Sequence, residues 1–329
     1  MVTMKDIAAK LGISLSTVSK GLSGASDISE DLRQSILDAA VEMGYKPKKQ
    51  KKDYRKKLCI FIENIEYASP DSFGYELILG FRQMADREGF DIVVVPINTA
   101  FQSRERFDTY MLRNGFAGAF VIGLSLYDEW MHQLKETTVP CVLFDNYIST
   151  NPNVGYVGTD SFEGIDLCVS HLARLGHTKI AFLNGIAGSM VTADRHEAFL
   201  QSMQRNHLIV DEKLAVFGTY EADCAKYYVP GFLTKGVTAI VCGSDTIADG
   251  VIGECIRKGV RVPEDISVTG FDDLPLASTL QPPLTSVWQD RISLGKCGFV
   301  VLSALMHKIP IGKAVLRPRL ITRASSAYL

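Results

Sequence analysis

Two successive series of apolar runs, each run followed by a helical stretch, constrain the fold more than any other feature of this sequence. The first series begins at Leu58 with LCIFIEN and continues through DIVVVPI, GAFVIG and VPCVLFD; the second contains KIAFLNG, AVFG, AIVCG and ISVTGFDD. Runs of strand length that are apolar throughout and alternate with helices are typical of buried parallel sheets with right-handed crossovers. The two series therefore predict two α/β lobes, each with its own parallel sheet.

The carboxyl ends of these strands carry polar side chains suited to a ligand cleft. Ligands of open α/β sheets bind beyond these ends. Asp145 ends VLFD, Asp272 lies at the end of VTGFD, and Arg195 begins a helix in the second series. Carboxylates and an arginine can bind vicinal hydroxyls, which suits a sugar or another polyol. Asp160 and Asp245, each followed by a helical stretch, are better explained as helix N-caps.

Residues 1–45 predict a separate unit of three short helices. Thr3 opens the first helix with a capping-box pattern, Ser14 can cap a second helix over 15–22, and a third is predicted over about 29–43. A short helix that packs against two others can enter the major groove of DNA, while hydroxyl groups and helix N-termini bind the phosphates. Periodicity alone fits an ordinary small helical core equally well.

A strongly basic connector follows these helices. Residues 46–57 read KPKKQKKDYRKK, with eight basic residues and one acidic residue, although the whole chain has a formal charge of −2. Such a run is usually a solvated tether. Directly after a DNA-binding unit, it favours an arm that follows the phosphates and makes binding sensitive to salt.

The helical unit also resembles a known family. The string MKDIAAKLGISLSTVSKGLSG, followed by SEDLRQSILDAAVEMGYKP, closely resembles the helix-turn-helix head of LacI/GalR-type bacterial transcription regulators. The resemblance implies base contacts from Leu15, Ser16 and Lys20, of which Lys20 to guanine is the strongest specific one. With the first helix and the connector included, the expected DNA-binding residues are Thr3, Leu15, Ser16, Thr17, Ser19, Lys20, Lys48, Lys49 and Tyr54.

The connector departs from the family pattern. Relatives carry N-x-x-A-R-x-L there, a hinge helix whose leucine enters the minor groove. In this chain Lys48 replaces the asparagine, and Tyr54 stands where the leucine would be. One hypothesis is that Tyr54 is a substitute wedge; the other is that no minor-groove kink occurs.

The resemblance extends over the two predicted lobes. VPCVLFDN, AIVCGSD, VPEDISVTGFDD and PPLTSVWQD resemble segments of the family's sensor domain, which has the fold of periplasmic sugar-binding proteins. Two departures bear on the ligand, because Ser244 replaces the usual asparagine and the first loop is the unusual EYASPDSFGYE. Together with the strand-end residues, the resemblance implies effector contacts from Phe73, Asp145, Arg195, Tyr220, Ser244 and Asp272.

These observations predict an α/β protein with three parts. A three-helix helix-turn-helix DNA-binding domain spans 1–46, a basic connector spans 47–57, and a two-lobed, periplasmic-binding-protein-like domain for effector binding and dimerisation spans 58–329. The expected segments are about 58–159 and 290–321 for lobe 1, and about 160–289 and 322–329 for lobe 2.

The predicted function is allosteric repression of transcription. We expect a sequence-specific protein that binds double-stranded operator DNA, with an affinity controlled by a sugar or sugar derivative between the lobes. The sequence shows neither a membrane-spanning apolar run nor a secretory signal, so we expect a location at the nucleoid in a bacterial cytoplasm. No heptad segment precedes Leu329, so we expect a homodimer.

Two alternatives use the same architecture: a sugar-modifying enzyme and a sugar-binding transport module. Against an enzyme, the sequence contains no G-x-x-x-x-G-K-[ST], no G-x-G-x-x-G after the first strand, no G-x-S-x-G and no His/Cys metal spacing. Its seven cysteines form no C-x-x-C pair and mostly lie in apolar runs. We therefore expect no catalysis, no metal and no cofactor. A transport module would need export and would leave the head unexplained.

Overall fold

The computed structural model describes residues 2–45 and 56–329. Within these ranges the α-helices are α1 (Met4–Leu11), α2 (Leu15–Ser23), α3 (Glu30–Glu42), α4 (Phe73–Arg87), α5 (Thr99–Arg104), α6 (Phe107–Asn114), α7 (Glu129–Leu134), α8 (Ser161–Arg174), α9 (Met190–Arg205), α10 (Ala225–Thr234), α11 (Asp245–Arg257), α12 (Pro275–Thr279) and α13 (Arg291–Met306). None of them is long and apolar enough to cross a membrane.

The strands follow the apolar runs of the sequence. They are β1 (Lys57–Ile62), β2 (Asp91–Pro96), β3 (Phe116–Ile122), β4 (Cys141–Phe144), β5 (Val154–Thr159), β6 (Ile180–Asn184), β7 (Ala215–Phe217), β8 (Ala239–Cys242), β9 (Ser267–Asp272), β10 (Thr285–Trp288), β11 (Lys313–Leu316) and β12 (Arg319–Ile321). They form two six-stranded sheets, one in each lobe.

The three helices α1 to α3 form a head with its own small core. Ser14 caps α2 by accepting a hydrogen bond from the Thr17 N–H, and Ser29 caps α3 in the same way. Gly12, in the left-handed conformation with φ of 66°, ends α1. The three-helix prediction is therefore confirmed, and the core residues are Ile7, Val18, Ile36, Ala39 and Ala40.

The two sheets share one plan. The first has the order β11-β5-β4-β3-β1-β2, with every pair parallel. The second has the order β12-β10-β9-β8-β6-β7 and is parallel except at the edge strand β12, which runs antiparallel to β10. Helices cover both faces of each sheet, as the apolar runs predict, and each lobe has its own hydrophobic core.

The chain passes between the lobes three times: after β5, after β10, and between β11 and β12. The last crossing corrects the expected segments, because 319–321 pairs in the second sheet instead of belonging to lobe 1. The sequence pattern predicts one strand across KAVLRPRLITRA, whereas the structure has two. Pro318 lies between β11 and β12, where its missing N–H and fixed φ interrupt strand pairing.

A second correction concerns the stretch after DIVVVPI, for which the sequence pattern predicts one helix that runs to Asn114. The structure divides this stretch into α5 and α6, with Glu105 extended between them (φ −116°, ψ 116°). The indole Nε1 of the fully buried Trp130 donates to the Glu105 carbonyl at 2.7 Å. The Glu105 carbonyl, at the break between the two helices, therefore has a hydrogen-bond donor outside the helix.

Helices α4 and α13 approach closely on the first lobe. A Cβ on Gly80 would lie 2.0 Å from the Ile292 carbonyl oxygen, and one on Gly295 would lie 2.1 Å from the Leu77 carbonyl oxygen. Larger residues could not occupy either place without separating the helices. This packing fixes the start of α13, and with it Arg291, beside α4 at the boundary between the lobes.

Candidate DNA-binding surface and effector cleft

Helix α2 presents a polar face with one apolar residue. Val18 and Gly21 are buried in the head core, whereas Leu15 is 42% exposed. Ser16, Ser19 and Lys20 are exposed on the same helix. The structure thus leaves the three expected base-reading residues accessible to a duplex. The apolar pattern of the helix predicts burial of Val18 and Leu22; Val18 is buried and Leu22 packs against the same core, whereas Gly21 is buried because Ile36 of α3 lies against it.

Local hydrogen bonds engage several hydroxyls of the head. The Ser14 hydroxyl lies 2.7 Å from that of Ser16 and 2.8 Å from that of Thr17. The backbone N–H and hydroxyl of Thr3 donate to the Asp6 carboxylate at 2.7 and 2.8 Å, which lowers the pKa of Asp6. The side chains of Thr3 and Thr17 are therefore held in place by hydrogen bonds within the head. A contact with a phosphate would have to use the hydrogen-bonding positions of their hydroxyls that these bonds leave free.

Lys20 is the basic residue of α2, and its ammonium pairs with Asp27 in the turn that precedes α3. The lysine is held near the helix surface in this arrangement. Among the other expected DNA-binding residues, Lys48, Lys49 and Tyr54 lie outside the described residues, so the wedge hypothesis stays a prediction.

The head packs against the first lobe through α3 and α6. The Thr109 hydroxyl donates to Asp38 at 2.8 Å, and Arg113 reaches Gln34 at 3.5 Å. Leu112 packs against the apolar core of the head. Helix α2, which carries the expected base-contacting residues, is left free by this contact, because α3 supplies the packed face.

Arg195 lies in the cleft between the lobes and is 4% exposed. Its Nη1 donates to the Gly243 carbonyl at 2.7 Å, and its guanidinium carbon lies 3.8 Å from the centroid of the Phe271 ring. Among the described residues, no acceptor binds its Nε. A buried donor without a partner costs free energy, so this N–H is a candidate for a ligand contact.

Asp145 and Asp272 approach Arg195 from the two lobes. Both have positive φ, 62° and 109°. Burial raises the pKa of Asp145 to about 7, with Arg195 opposing the rise and the charges of Asp272 and Asp194 adding to it. Burial likewise raises the pKa of Asp272 to about 6, against the lowering effects of Arg195, of the Gln289 amide and of Arg291. The structure therefore brings together three of the predicted effector residues in one electrostatically coupled group.

The remaining predicted effector residues lie around this group in different roles. Phe73 begins α4 and packs against Phe144, with ring centroids 5.7 Å apart. The Tyr220 hydroxyl lies 3.1 Å from that of Thr192, and its ring covers Gly185. Their aromatic faces can pack against a ligand.

Ser244 caps α11, with its hydroxyl accepting from the Ile247 N–H at 3.2 Å. The proposed N-cap role of Asp245 is therefore wrong. Asp245 is the first residue inside the helix, and its buried carboxylate accepts from the Leu274 N–H at 2.7 Å and from the Ser286 hydroxyl. The N-cap role of Asp160 is confirmed, since it accepts from the Glu163 N–H at 2.9 Å.

Arg291 is the cleft residue that the sequence did not single out. It is 7% exposed; its Nε donates to Glu76 of α4 at 2.8 Å, and its Nη1 donates to the Asp272 carbonyl at 2.6 Å. The arginine thereby joins the two lobes beside the predicted effector residues. Its place at the start of the helix that follows a lobe crossing puts it at the boundary between the lobes, but no sequence signal reports its two partners.

The lobes also touch at the rim of the cleft. The Leu126 N–H donates to the Gly188 carbonyl at 3.0 Å, and the Met190 N–H reaches the Asn146 side-chain oxygen at 3.5 Å. Each bond joins a loop of the first lobe to the segment before or at the start of α9. Both bonds join the lobes, the second through residues next in sequence to Asp145 and five residues before Arg195.

Two family models match the chain. The model for bacterial regulatory proteins of the lacI family matches residues 3–48, and the model for a periplasmic binding protein-like domain matches residues 169–326. Their order is the order of the head and the two-lobed domain. The chain belongs to the LacI family.

Curated relatives resemble the chain over most of its length, and solved structures share its fold. The HTH-type transcriptional repressor PurR of Vibrio atlanticus (strain LGP32) is 26% identical over 305 residues, which are 92% of this chain and 91% of that protein. The transcriptional regulator CelR, in complex with cellobiose, has a TM-score of 0.74 at 24% identity and covers 99% of this chain and 100% of its own. The lac repressor dimer, bound to operator and an anti-inducer, has a TM-score of 0.69 at 24% identity and covers 99% of each chain.

Membership in the LacI family supplies the general function of the two sites. The chain is a DNA-binding transcription regulator under the control of a ligand. The exposed face of α2 and the coupled residues of the cleft are the corresponding candidate surfaces.

Proposed function

We propose that this LacI-family protein is a homodimeric repressor whose affinity for operator DNA is set by an uncharged sugar or sugar derivative bound between its lobes. The observation that carries the proposal is the buried Nε of Arg195, which has no acceptor among the described residues and lies near carboxylates from both lobes. A polyol can accept from the arginine and donate to Asp145 and Asp272 at once.

The charge of the cleft favours a neutral ligand. The charges of Asp272 and Asp194 both act on Asp145, and Arg195 already contacts a carbonyl and an aromatic ring. An anionic group would meet these carboxylates, whereas hydroxyls can donate to them. The cellobiose complex of CelR supports a carbohydrate ligand by likeness of fold.

The first experiment is a thermal-shift screen of the full-length protein against neutral sugars, sugar phosphates and nucleobases. A ligand at about a hundred times its Kd stabilises the folded state by roughly 2.7 kcal/mol. We expect a neutral sugar to raise Tm and its phosphate to have a smaller effect. Loss of the shift in Arg195→Ala and Asp272→Ala, with retention in the surface variant Arg257→Ala, supports the cleft. A shift that Arg195→Ala retains places the ligand elsewhere and contradicts the proposal.

Control of DNA binding is tested with the same ligand. Operator affinity of the full-length protein is measured with and without the sugar at fixed salt, and the affinity should change by at least several-fold. The ligand has to be recovered unchanged, because turnover would favour the alternative of a sugar-modifying enzyme. Measurement of the mass in solution at micromolar concentration tests the dimer, which the dimeric lac repressor supports by analogy.

A further inference from the structure

The base-reading lysine of α2 has a partner on the same surface. The Lys20 ammonium forms an ion pair and hydrogen bond with Asp27, and the two side chains are 49% and 56% exposed. This bond holds the two groups side by side in the turn region between α2 and α3. Any part of a duplex that receives Lys20 therefore also faces the carboxylate of Asp27.

A carboxylate at this surface opposes binding to DNA in general, because it repels phosphates. The head has little positive charge to offset it, since residues 2–45 contain four Lys and Arg against six Asp and Glu. Two of those cations are paired elsewhere, Lys10 with Glu42 at 2.7 Å and Arg33 with Glu30 at 3.3 Å. The hydrogen bond from Lys20 lowers the pKa of Asp27, so the carboxylate is charged at neutral pH. Asp27 therefore needs an explanation other than phosphate binding.

The pair matches the edge of a G·C base pair in the major groove. Guanine presents acceptors at N7 and O6, and cytosine presents a donor at its N4 amino group beside O6. An ammonium donates and a carboxylate accepts. Building on the proposed DNA-binding role of the head, we propose that Lys20 and Asp27 read one G·C pair together, with Lys20 donating to guanine and Asp27 accepting from the cytosine N4 amino group.

An A·T pair in the same place would mismatch both groups. The central group of that edge is the N6 donor of adenine, which would face the ammonium, and the outer group is the O4 acceptor of thymine, which would face the carboxylate. A lone lysine could move to the N7 or O4 acceptor, but the bond to Asp27 restrains it. Asp27 is thus a specificity-determining residue that lowers general affinity and raises discrimination, on the order of tenfold.

The test uses full-length wild type, Lys20→Ala, Asp27→Ala and the matched control Glu42→Ala. Glu42 also pairs with a lysine of the head, and its removal changes the head charge by the same amount, but its partner lies on α1. Each protein selects duplexes from a randomised library. Dissociation constants are then measured at one salt concentration for the wild-type consensus and for its single G·C to A·T substitutions.

We expect wild type to prefer G·C at one position by at least about tenfold. Asp27→Ala should reduce that ratio about tenfold by improving binding to the A·T duplex, and Lys20→Ala should lose preference at the same position. Glu42→Ala should keep the ratio. Circular dichroism should show an intact head in every variant, because Asp27 and Glu42 are exposed.

Two results would overturn the assignment of Asp27. One is an equal change in affinity for all duplexes, as in Glu42→Ala, because that result describes general electrostatic repulsion. The other is an effect of Asp27→Ala at a base pair that Lys20→Ala does not affect. If wild type selects no sequence at all, the proposed DNA-binding function itself fails, and the assignment fails with it.

Discussion

Asp145 combines an unusual backbone conformation with an unusual proton affinity. It follows β4 with φ of 62°, a conformation that aspartate and asparagine tolerate better than most residues. Burial raises its pKa to about 7 in the folded protein, above the value of about 3.9 expected in the unfolded chain. The folded state therefore binds the proton more tightly. Its contribution to stability is fully present below about pH 4 and is lost as pH rises through about 7.

This linkage predicts the behaviour of Asp145→Asn. The amide resembles the protonated carboxyl, so the variant should lose part of the fall in Tm that the ligand-free wild type shows between pH 5 and pH 8. At pH 8 its Tm should be higher by about 2–4 °C, as for a stability change of roughly 1 kcal/mol. Calorimetry across this pH range checks the prediction, with the exposed Asp249→Asn as control. If Tm falls equally with rising pH in wild type and in Asp145→Asn, ionisation of the buried Asp145 does not destabilise the protein, and the prediction is wrong.

Gly185 provides a residue-scale test of the cleft. A Cβ at this position would lie 2.3 Å from the Tyr220 ring. Gly185→Ala should therefore displace the ring and weaken effector binding, and should destabilise the protein by only about 1 kcal/mol, because the displaced atoms are the outer end of a partly exposed side chain. Urea unfolding and ligand titration check both effects. Gly253→Ala is the control, because nothing lies within 4 Å of its Cβ and alanine favours a helix. Equal stability and binding in the two variants would contradict the role of Tyr220.

At the scale of helices and strands, the sequence predicted what local chemistry determines. Ser14 and Ser29 mark the starts of α2 and α3 because each caps its own helix within three residues. The parallel sheets followed from apolar runs that are buried on both faces. The role of Ser244 as an N-cap was missed because the resemblance directed attention to the ligand. A serine directly before a helical stretch is a local signal for an N-cap, so this role could have been predicted from the sequence.

Contacts between distant elements could not be predicted in this way. Arg291 joins α13 to Glu76, which lies 215 residues earlier, and to the carbonyl of Asp272 in the other lobe. No periodicity or cap signal reports such a bridge. The same holds for the contact of α3 with α6, where Thr109 binds Asp38. These interactions depend on how the lobes and the head are assembled.

The bridge of Arg291 gives a prediction for the two lobes. Arg291→Ala should lower the free energy of unfolding by about 2–3 kcal/mol, because a buried charged donor is removed and the Asp272 carbonyl is deprived of a partner. Arg291→Lys should recover only part of the lost free energy of unfolding, since one ammonium group cannot reproduce the planar guanidinium that donates to both Glu76 and the Asp272 carbonyl. Denaturant titrations measure both. Arg257, 63% exposed in a pair with Glu254, is the control, and its removal should cost less than about 1 kcal/mol. A similar loss in Arg257→Ala and Arg291→Ala would argue against the bridge.

At the scale of the whole molecule, positive charge is concentrated in one short segment. Residues 2–45 have two more acidic than basic residues, whereas 46–57 have seven more basic than acidic ones. We therefore expect general attraction to phosphates to come from the connector, and discrimination between base pairs to come from the head. Such a division would let a head that carries Asp27 beside α2 bind DNA.

The salt dependence of operator binding tests this division. Replacement of Lys48, Lys49, Lys51 and Lys52 by glutamine should reduce the slope of log K against log salt by about 0.9 for each phosphate that is no longer neutralised. The preference for one base pair over another should change little, because phosphate contacts carry no sequence information. Titrations of the selected duplex and a substituted duplex at several salt concentrations measure both quantities.

The matched control replaces four exposed lysines of the two lobes by glutamine and so changes the total charge equally; they are Lys135, Lys213, Lys235 and Lys258. Its slope should stay close to that of wild type, since local contacts to phosphates release counterions whereas remote charges are screened within about 10 Å at 0.1 M salt. If both quadruple variants reduce the slope alike, net charge governs binding and the connector has no special role. If neither does, the phosphate contacts belong to the head, and the pairing of its cations must break on DNA.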